Sequence, residues 1–264
     1  LQNYHSAFRQ LPPGSVMTDA LRPVPVCSSS KMFAAANVNF EAGQGAGHQR
    51  TSWIVHLLPF IEQAALYESW DFQTSVAGNR TAAETDVPML YCPSRRSTVT
   101  NPAIMFQGWL GGGNDYGGSV GGCNGWHNCG FHELWQTDYE DRTLGEHKGV
   151  FHAVNRGVRF SEVMDGLSNT VALGELQRLD KGLHVTTSRD GWAVGGVSSH
   201  FSTCSDGCYA PNSDHFEAPG SNHPGGVNLA FADGRVQFLT DSTSAAILKS
   251  IGGIADGSAE QPPQ

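Results

Sequence analysis

Two stretches in the first third of the chain carry apolar residues at helical spacing. In residues 1–10 they fall on one helix face, at Leu1, Tyr4, Ala7 and Phe8. In residues 52–69 they form a longer stripe, at Ile54, Leu57, Leu58, Ile61 and Ala65. Pro12 ends the first helix, and Pro59 predicts a kink in the second because proline lacks the amide N–H that a helix needs. Ser52 is a suitable N-cap for the second helix.

Short alternating patterns in the second half predict strands joined by turns. They cover residues 157–163, 170–174, 191–197, 227–232 and 235–239, and a further short strand is predicted at 87–92. Asp233-Gly234 lies between the last two and suits a type I′ hairpin turn, in which both central residues take positive φ. A short helix is predicted at 244–251, and residues 252–264 are expected to form a flexible tail.

These elements predict one α+β domain over residues 1–264, in which an N-terminal helix packs on an antiparallel sheet with long loop insertions. The 32 glycines and 13 prolines favour turns and short strands over long helices. The glycine-rich residues 108–130 are expected to form a long surface excursion and not a core element. The formal net charge of −9, without any run of Lys or Arg, argues against nucleic acid as a partner.

The cysteines favour disulfides and therefore an exported protein, because a reducing cytosol would keep them as thiols. There are six, at Cys27, Cys92, Cys123, Cys129, Cys204 and Cys208. The simplest pairing closes two short loops, Cys123 with Cys129 and Cys204 with Cys208, and leaves Cys27 to join Cys92. The sequence alone does not select among the possible connectivities.

Five blocks along the chain together resemble the planctomycete-type family of prepilin-like proteins. The most specific is the C-terminal signature of that family, a His followed by nine residues and Asp-Gly, which His223 and Asp233-Gly234 meet here. The surrounding residues 221–236 match the family along their length. The other blocks are residues 1–14, 52–67, 90–96 (Leu-Tyr-Cys-Pro-Ser-Arg-Arg) and 165–175, which begins Asp165-Gly166-Leu167-Ser168-Asn169 and ends Gly174-Glu175.

The resemblance implies a pilin-like fold and a non-enzymatic subunit, similar to type IV pilins and type II secretion pseudopilins, of an extracytoplasmic filament or secretion-related surface structure. In such proteins a short basic leader, a peptidase site for prepilin processing and an apolar helix precede the headpiece. Residues 1–10 are then expected to be the end of that helix. The helix would anchor the protein in the inner membrane before assembly and afterwards pack against copies of itself or other pilin-like subunits. The headpiece would lie in the periplasm, at the cell surface or in the filament.

An alternative function is a surface module that binds extracellular polysaccharide or another solute. Its candidate ligand residues are Trp109, Trp126 and Trp135, because exposed indole rings stack on sugar faces and these three lie in a stretch outside the recognised blocks. A hydrolase is the third alternative. Ser119 lies in a Gly-x-Ser-x-Gly pattern, but it lacks the flanking strand and helix that position a serine nucleophile, so no catalytic residue is expected.

The signature residues are expected to act structurally, by fixing loops and the hairpin through side chain-to-backbone hydrogen bonds. They are His223, Asp233 and Gly234, with Asp165, Gly166, Ser168 and Asn169.

Two loops could bind a metal ion or could be metal-free. Thiolate and imidazole ligands for zinc are present at Cys123, His127, Cys129 and His132, and oxygen ligands for calcium at Asp206, Asp214 and Glu217.

Overall fold

The computed structural model describes residues 1–16, 49–122, 148–153, 155–179, 189–203 and 210–257. These residues form a mixed α+β fold, with short helices and a five-stranded sheet. The α-helices are α1 (Gln2–Phe8), α2 (Trp53–Leu57), α3 (Ala64–Glu68), α4 (Arg80–Ala83) and α5 (Ala245–Gly252). Shorter 3-10 helices lie at Leu58–Phe60, Pro88–Leu90, Pro102–Ile104, Phe106–Gly108, Phe160–Glu162 and Gly196–Ser198.

The strands form one small and one larger sheet. They are β1 (Ser15–Val16), β2 (Thr51–Ser52), β3 (Tyr116–Ser119), β4 (Val171–Glu175), β5 (His200–Phe201), β6 (Gly226–Phe231) and β7 (Val236–Thr240). Strand β1 pairs with β2, and the larger sheet has the order β5-β3-β4-β6-β7. All neighbours in the larger sheet are antiparallel except β3 and β5, which are parallel. The sheet is therefore mixed, and the prediction of an antiparallel sheet is corrected at this edge.

The helices follow the apolar patterns of the sequence. Helix α1 lies within the predicted residues 1–10, and α5 begins after the N-cap Ser244, whose hydroxyl accepts a hydrogen bond from the Ile247 amide at 3.3 Å. The predicted helix at 52–69 is interrupted at Pro59, where a 3-10 turn separates α2 from α3. Ser52 caps α2 as expected, because its hydroxyl accepts from the Ile54 amide at 3.2 Å.

The β6–β7 hairpin confirms the two predicted strands but corrects their turn. The Phe231 amide donates to the Arg235 carbonyl (2.8 Å), and the Gly234 amide donates to the Phe231 carbonyl (2.9 Å). These bonds close a three-residue loop in which Gly234 has a positive φ of 98° and Asp233 does not. A type I′ turn would need positive φ at both residues, so the loop is of the longer kind that places glycine at its left-handed position.

Strand β3 corrects the expectation that the glycine-rich residues form only a surface excursion. It lies inside the sheet, between β4 and β5. A Cβ on Gly117 would come within 2.6 Å of the Leu176 side chain, and one on Gly118 within 2.7 Å of the Phe151 ring. The glycines of β3 therefore permit close packing, and they do not mark a flexible segment.

Three other predicted strands are wrong. Residues 87–92 contain the 3-10 helix Pro88–Leu90, whose first position suits proline because the ring presets φ. Residues 157–163 contain the 3-10 helix Phe160–Glu162. Residues 191–197 form turns with a single bridge at Val194, since Gly191 and Gly196 take positive φ (150° and 75°) and interrupt an extended path.

Within the described residues, buried apolar side chains form a larger and a smaller cluster. The larger one includes Trp53 and Trp192, and the smaller one joins β6 to α5 through residues such as Leu229 and Ile251.

The predicted flexible tail is packed on the body as far as residue 257, because Ile254 is buried and its carbonyl accepts from the Met164 amide at 2.6 Å.

In the ranges given above, no helix has both the length and the apolar character needed to cross a membrane.

Candidate functional site

Three segments that are distant in sequence bring the side chains of Cys92, Glu175 and His223 together. Cys92 Sγ lies 3.3 Å from Glu175 Oε1 and 3.7 Å from His223 Nε2. His223 Nε2 lies 3.0 Å from the same Glu175 oxygen. In the part of the chain that the structure describes, this is the one group of three His, Cys, Asp or Glu side chains with ligand atoms close enough to share a metal ion.

Cys92 is held by backbone contacts on both sides. Its amide donates to Asp115 Oδ2 at 3.0 Å, and its carbonyl accepts from the amides of Arg95 (2.8 Å) and Arg96 (3.0 Å) in the turn that follows. The Asp115 amide in turn donates a hydrogen bond to the Leu90 carbonyl at 2.8 Å. Residues 90–96 are thereby fixed against the start of β3, and the Cys92 side chain is buried.

Glu175 is the last residue of β4, and it is buried. Its Oε2 atom accepts from the Asn228 amide (2.7 Å) and is 3.3 Å from Asn228 Nδ2 on the neighbouring strand β6. Its other oxygen, Oε1, faces Cys92 and His223. The carboxylate is therefore oriented by the sheet, with one oxygen used structurally and the other directed into the cluster.

His223 lies in the loop that leads into β6. Its amide donates to Ser221 Oγ at 3.0 Å, and that hydroxyl donates to the Gly226 carbonyl at 2.7 Å, which closes the loop. Gly225 takes a positive φ of 79°, a conformation that glycine adopts without a steric penalty. The imidazole is partly exposed and lies beside the exposed Ser94, whose hydroxyl is 3.3 and 3.4 Å from the two ring nitrogens.

A buried network of arginines and aspartates adjoins Cys92. Arg96 pairs with Asp115 (2.7 Å) and Asp190 (2.7 Å), Arg95 pairs with Asp115 (3.0 Å), and Arg178 lies 3.4 Å from Asp190. Both carboxylates are fully buried. The network connects residues 90–96 to the start of β3, to Arg178 and to Asp190, so it supports the position of Cys92.

Opposite charges keep this network ionised. Burial alone would raise the pKa of Asp115, but the hydrogen bond and charge of Arg96, together with Arg95 and Arg178, hold it below the ordinary value. Burial would lower the pKa of Arg96, but Asp190 and Asp115 outweigh burial and raise it. Burial lowers the pKa of Arg178 to about 10, which still leaves it charged at neutral pH.

Tyr116 borders the cluster from β3. Burial raises its pKa to about 12, and the neighbouring Cys92, Glu175 and Asp115 act in the same direction. The Tyr116 hydroxyl is therefore a proton donor at neutral pH. A thiol, an imidazole, a carboxylate and a phenol thus meet at one place, and the first three are residue types that bind transition metals.

The two halves of the C-terminal signature lie apart. His223 precedes β6 and Asp233 follows it, and a strand of this length separates its ends by roughly 17 Å. Asp233 is exposed, and its carboxylate accepts from the Arg235 amide at 2.8 Å, which is a turn-forming contact. His223 instead contacts Cys92 and Glu175, which sequence reasoning had placed in other blocks.

The block at residues 165–170 packs against the hairpin turn. Asn169 Nδ2 donates to the Asp165 carbonyl (2.8 Å), and the Asn169 amide donates to the carbonyl of Gly166, which has a positive φ of 95°. Arg235 Nη2 donates to the Ser168 carbonyl at 2.8 Å. Burial and the nearby Asp256 raise the pKa of Asp165, whose carboxylate caps two backbone amides of the C-terminal segment. These contacts are structural in kind.

Most of the remaining candidates lie outside the described residues. Cys92 has a free thiol in the structure. The other five cysteines, including its predicted partner Cys27, lie outside the described residues, so the predicted pairings stay predictions. His127, His132, Asp206, Trp126 and Trp135 also lie outside them. Of the calcium candidates, Asp214 is exposed and Glu217 is buried, and they do not share a metal-type group with a third described residue.

The ligand-stacking prediction is wrong for Trp109. Its side chain is fully buried and packs edge-on against Phe106, with ring centroids 4.9 Å apart. An indole without exposed surface has no face to offer a sugar. Ser119 is also fully buried, and its hydroxyl accepts from the Gly121 amide at 3.3 Å.

The fold and the cluster define a mixed α+β protein with a potential metal-binding group at one end of its sheet. The sequence profile of the family described as "Protein of unknown function (DUF1559)" matches residues 1–246. The chain therefore belongs to the DUF1559 family. No curated protein and no solved structure matches it.

Proposed function

We propose that this chain is the globular headpiece of a pilin- or pseudopilin-like subunit of an extracytoplasmic filament or secretion-related surface structure. The proposal rests on the resemblance of five sequence blocks and on one structural observation, the placement of α1. A helix at the N-terminal side of a pilin-like headpiece must be fixed to the body along one face and leave another face for neighbouring subunits. Helix α1 has this arrangement.

One face of α1 packs on the body through aromatic contacts. The buried Tyr4 ring lies 5.3 Å from the Phe60 ring, and the His5 ring stacks on Phe160 at 3.7 Å. Gln2 Nε2 donates to the carbonyl of Ala232, just after β6, at 2.9 Å. The start of the helix is therefore held against the sheet and against the segment that follows α2.

The opposite face of α1 is free for contacts. Phe8 belongs to the packed face, because its ring lies 4.6 Å from that of Tyr4, although 54% of it stays accessible at the edge. On the side away from Tyr4, Asn3 and Ser6 are polar and exposed. Contacts between headpieces at such a polar surface would bury too little apolar area for assembly. In the proposed filament, therefore, an apolar helix continuous with α1 supplies most of the contact with other subunits.

The chain after α1 is joined tightly to the body. The Leu11 amide donates to the Val158 carbonyl and the Gly14 amide to the Ala153 carbonyl, both at 2.8 Å. A Cβ on Gly14 would lie 2.0 Å from the Phe151 carbonyl oxygen, so this approach requires glycine. A load carried by the helix in a filament would pass directly into the headpiece through these bonds.

The proposal places the protein outside the cytoplasm, anchored in the inner membrane before assembly, and gives it a non-enzymatic role. Its partners would be copies of itself or other pilin-like subunits. The polysaccharide-binding alternative loses one of its three tryptophans, because Trp109 is buried. This favours the subunit proposal over the binding module.

Assembly can be tested by expressing residues 1–264 alone and behind the leader and apolar helix of a pilin, each with a matching peptidase and assembly platform. We expect surface fibres only from the fusion, since the apolar helix supplies the buried contact. Electron microscopy counts the fibres, and a fusion with an uncleavable leader is the matched control. Fibres from residues 1–264 alone, or a processed fusion that stays monomeric and binds a polysaccharide on a glycan array, would contradict the proposal.

The attachment of α1 can be tested by Tyr4→Ala. We expect the free energy of unfolding to fall by about 2 kcal/mol, because the variant removes a buried aromatic side chain that packs on Phe60. Chemical denaturation measures the change. Asn3→Ala, at an exposed position of the same helix, should cost less than about 0.5 kcal/mol. Equal stability of the Tyr4→Ala variant and the parent would mean that α1 is not held by this face.

A further inference from the structure

We propose that Cys92, Glu175 and His223 form a binding site for a divalent transition metal ion of the zinc type. The three side chains supply a sulfur, an oxygen and a nitrogen ligand from three separate segments. Thiolate and imidazole are the ligands that zinc prefers, whereas calcium and magnesium select sites made of oxygen atoms. The donor set therefore indicates the class of metal.

The spacing of the ligand atoms fits such an ion. Zinc bonds of roughly 2.0–2.3 Å in a tetrahedral arrangement place ligand atoms about 3.3–3.8 Å apart. The observed separations are 3.3 Å (Sγ to Oε1), 3.7 Å (Sγ to Nε2) and 3.0 Å (Nε2 to Oε1). Only the distance between His223 Nε2 and Glu175 Oε1 has to increase, by a few tenths of an ångström. A small rotation of the partly exposed His223 ring achieves this.

Two of the three ligands are held in place by bonds that do not involve a metal. Asn228 binds Glu175 Oε2 and leaves Oε1 directed into the cluster. Asp115 fixes the backbone of Cys92. Outer contacts of this kind are a regular feature of metal sites, because they orient the ligands before the ion arrives.

The charge of the donor set matches a divalent ion. A cysteine that binds a metal does so as a thiolate. A thiolate and a carboxylate together balance the two charges of the ion.

The site is open on one side. Ser94 is exposed and His223 is partly exposed, and Ser94 Oγ lies 3.1 Å from Cys92 Sγ. An ion can enter from this side, and a water molecule or another ligand can take its fourth position. Three protein ligands with one open position differ from closed structural zinc sites, which use four.

The test is a metal titration of the full chain, purified in reduced, metal-free form. With Co²⁺ as the probe, we expect one ion per chain and a thiolate-to-cobalt charge-transfer band that Zn²⁺ displaces. Cys92→Ser should abolish the band. Glu175→Gln and His223→Gln should each weaken binding at least ~100-fold, and Asn228→Ala, which removes only an outer contact, about 10-fold.

Matched controls separate the site from general effects. His5→Gln and Glu68→Gln change the same residue types away from the cluster and should leave cobalt affinity unchanged. Glu175 is buried, so circular dichroism checks the fold of its variant. His223 is partly exposed, so we expect His223→Gln to fold. It then tests the metal site even if Glu175→Gln unfolds.

Three results would overturn the proposal. The folded, reduced protein could give no charge-transfer band with Co²⁺. The band could persist in Cys92→Ser and disappear in Cys123→Ser or Cys129→Ser, which would assign the metal to residues 123–132. Intact mass and peptide mapping of the exported protein could show Cys92 in a disulfide, which would remove the sulfur ligand.

Discussion

Replacing Asp115 by alanine is expected to lower the free energy of unfolding by about 4 kcal/mol, because it leaves buried arginines without their counter-charge. Asp115 is fully buried, and it accepts from Arg95, Arg96 and the Cys92 amide. Urea denaturation at neutral pH measures the loss.

The matched control is Asp233→Ala. Asp233 is exposed and bonds to the Arg235 amide in the hairpin turn, so its loss should cost no more than about 1 kcal/mol. The two variants make the same chemical change at a buried ion network and at an exposed turn. If they proved equally stable, the buried network would not contribute to folding as its geometry indicates.

Acid is expected to destabilise the fold well before the carboxylates titrate. Burial lowers the pKa of His56 to about 4, of His152 to about 3 and of His200 to about 4. Each stays neutral in the folded protein, while the unfolded chain binds a proton near the ordinary histidine pKa of about 6.5. Unfolding therefore takes up protons, and stability falls as the pH drops.

The pH range of this loss of stability lies between the unfolded and folded pKa values of the buried histidines. The stabilising contribution of each histidine is complete above about pH 6.5 and is lost as the pH falls towards about 4 for His56 and His200 and about 3 for His152. For His56 and His200 the loss is about 3 kcal/mol each. The lowered pKa of Asp115 adds a further loss only below the ordinary carboxyl range. The denaturation midpoint across this window measures the slope. His200→Gln should reduce this slope more than His5→Gln does, because the His5 ring is partly exposed, whereas a flat profile would mean that the buried histidines are protonated in the fold.

Local patterns in the sequence predicted the elements that depend on nearby residues. Helix α5 and the two strands of the β6–β7 hairpin were predicted within about a residue, and Ser52 was predicted as a cap, because periodicity and capping act over a few positions. Strand β3 was missed because Gly117 and Gly118 look like loop residues in isolation. What requires them is contact with Leu176 and Phe151, which lie far along the chain.

The cluster was missed for the same reason. Cys92 lies 83 positions from Glu175 and 131 from His223, and no local rule connects them. Each was assigned a separate role or none: Cys92 to a bridge, His223 to a loop, Glu175 to the end of a block. One signal was present, since each of three resembling blocks contributes one metal-type residue. Sequence blocks that share one structural role are expected to lie close together in the fold.

The parallel pairing of β5 with β3 has a consequence for the time course of folding. The β6–β7 hairpin needs only a three-residue loop, and it can form as soon as its own residues meet. Gly118 and His200, which are partners in the β3–β5 pair, must close a much longer stretch of chain before their contact is gained. Chains with such non-local pairs fold slowly. The edge at β5 is therefore expected to complete the sheet last, so a newly made chain would expose the glycine strand β3 for most of that time.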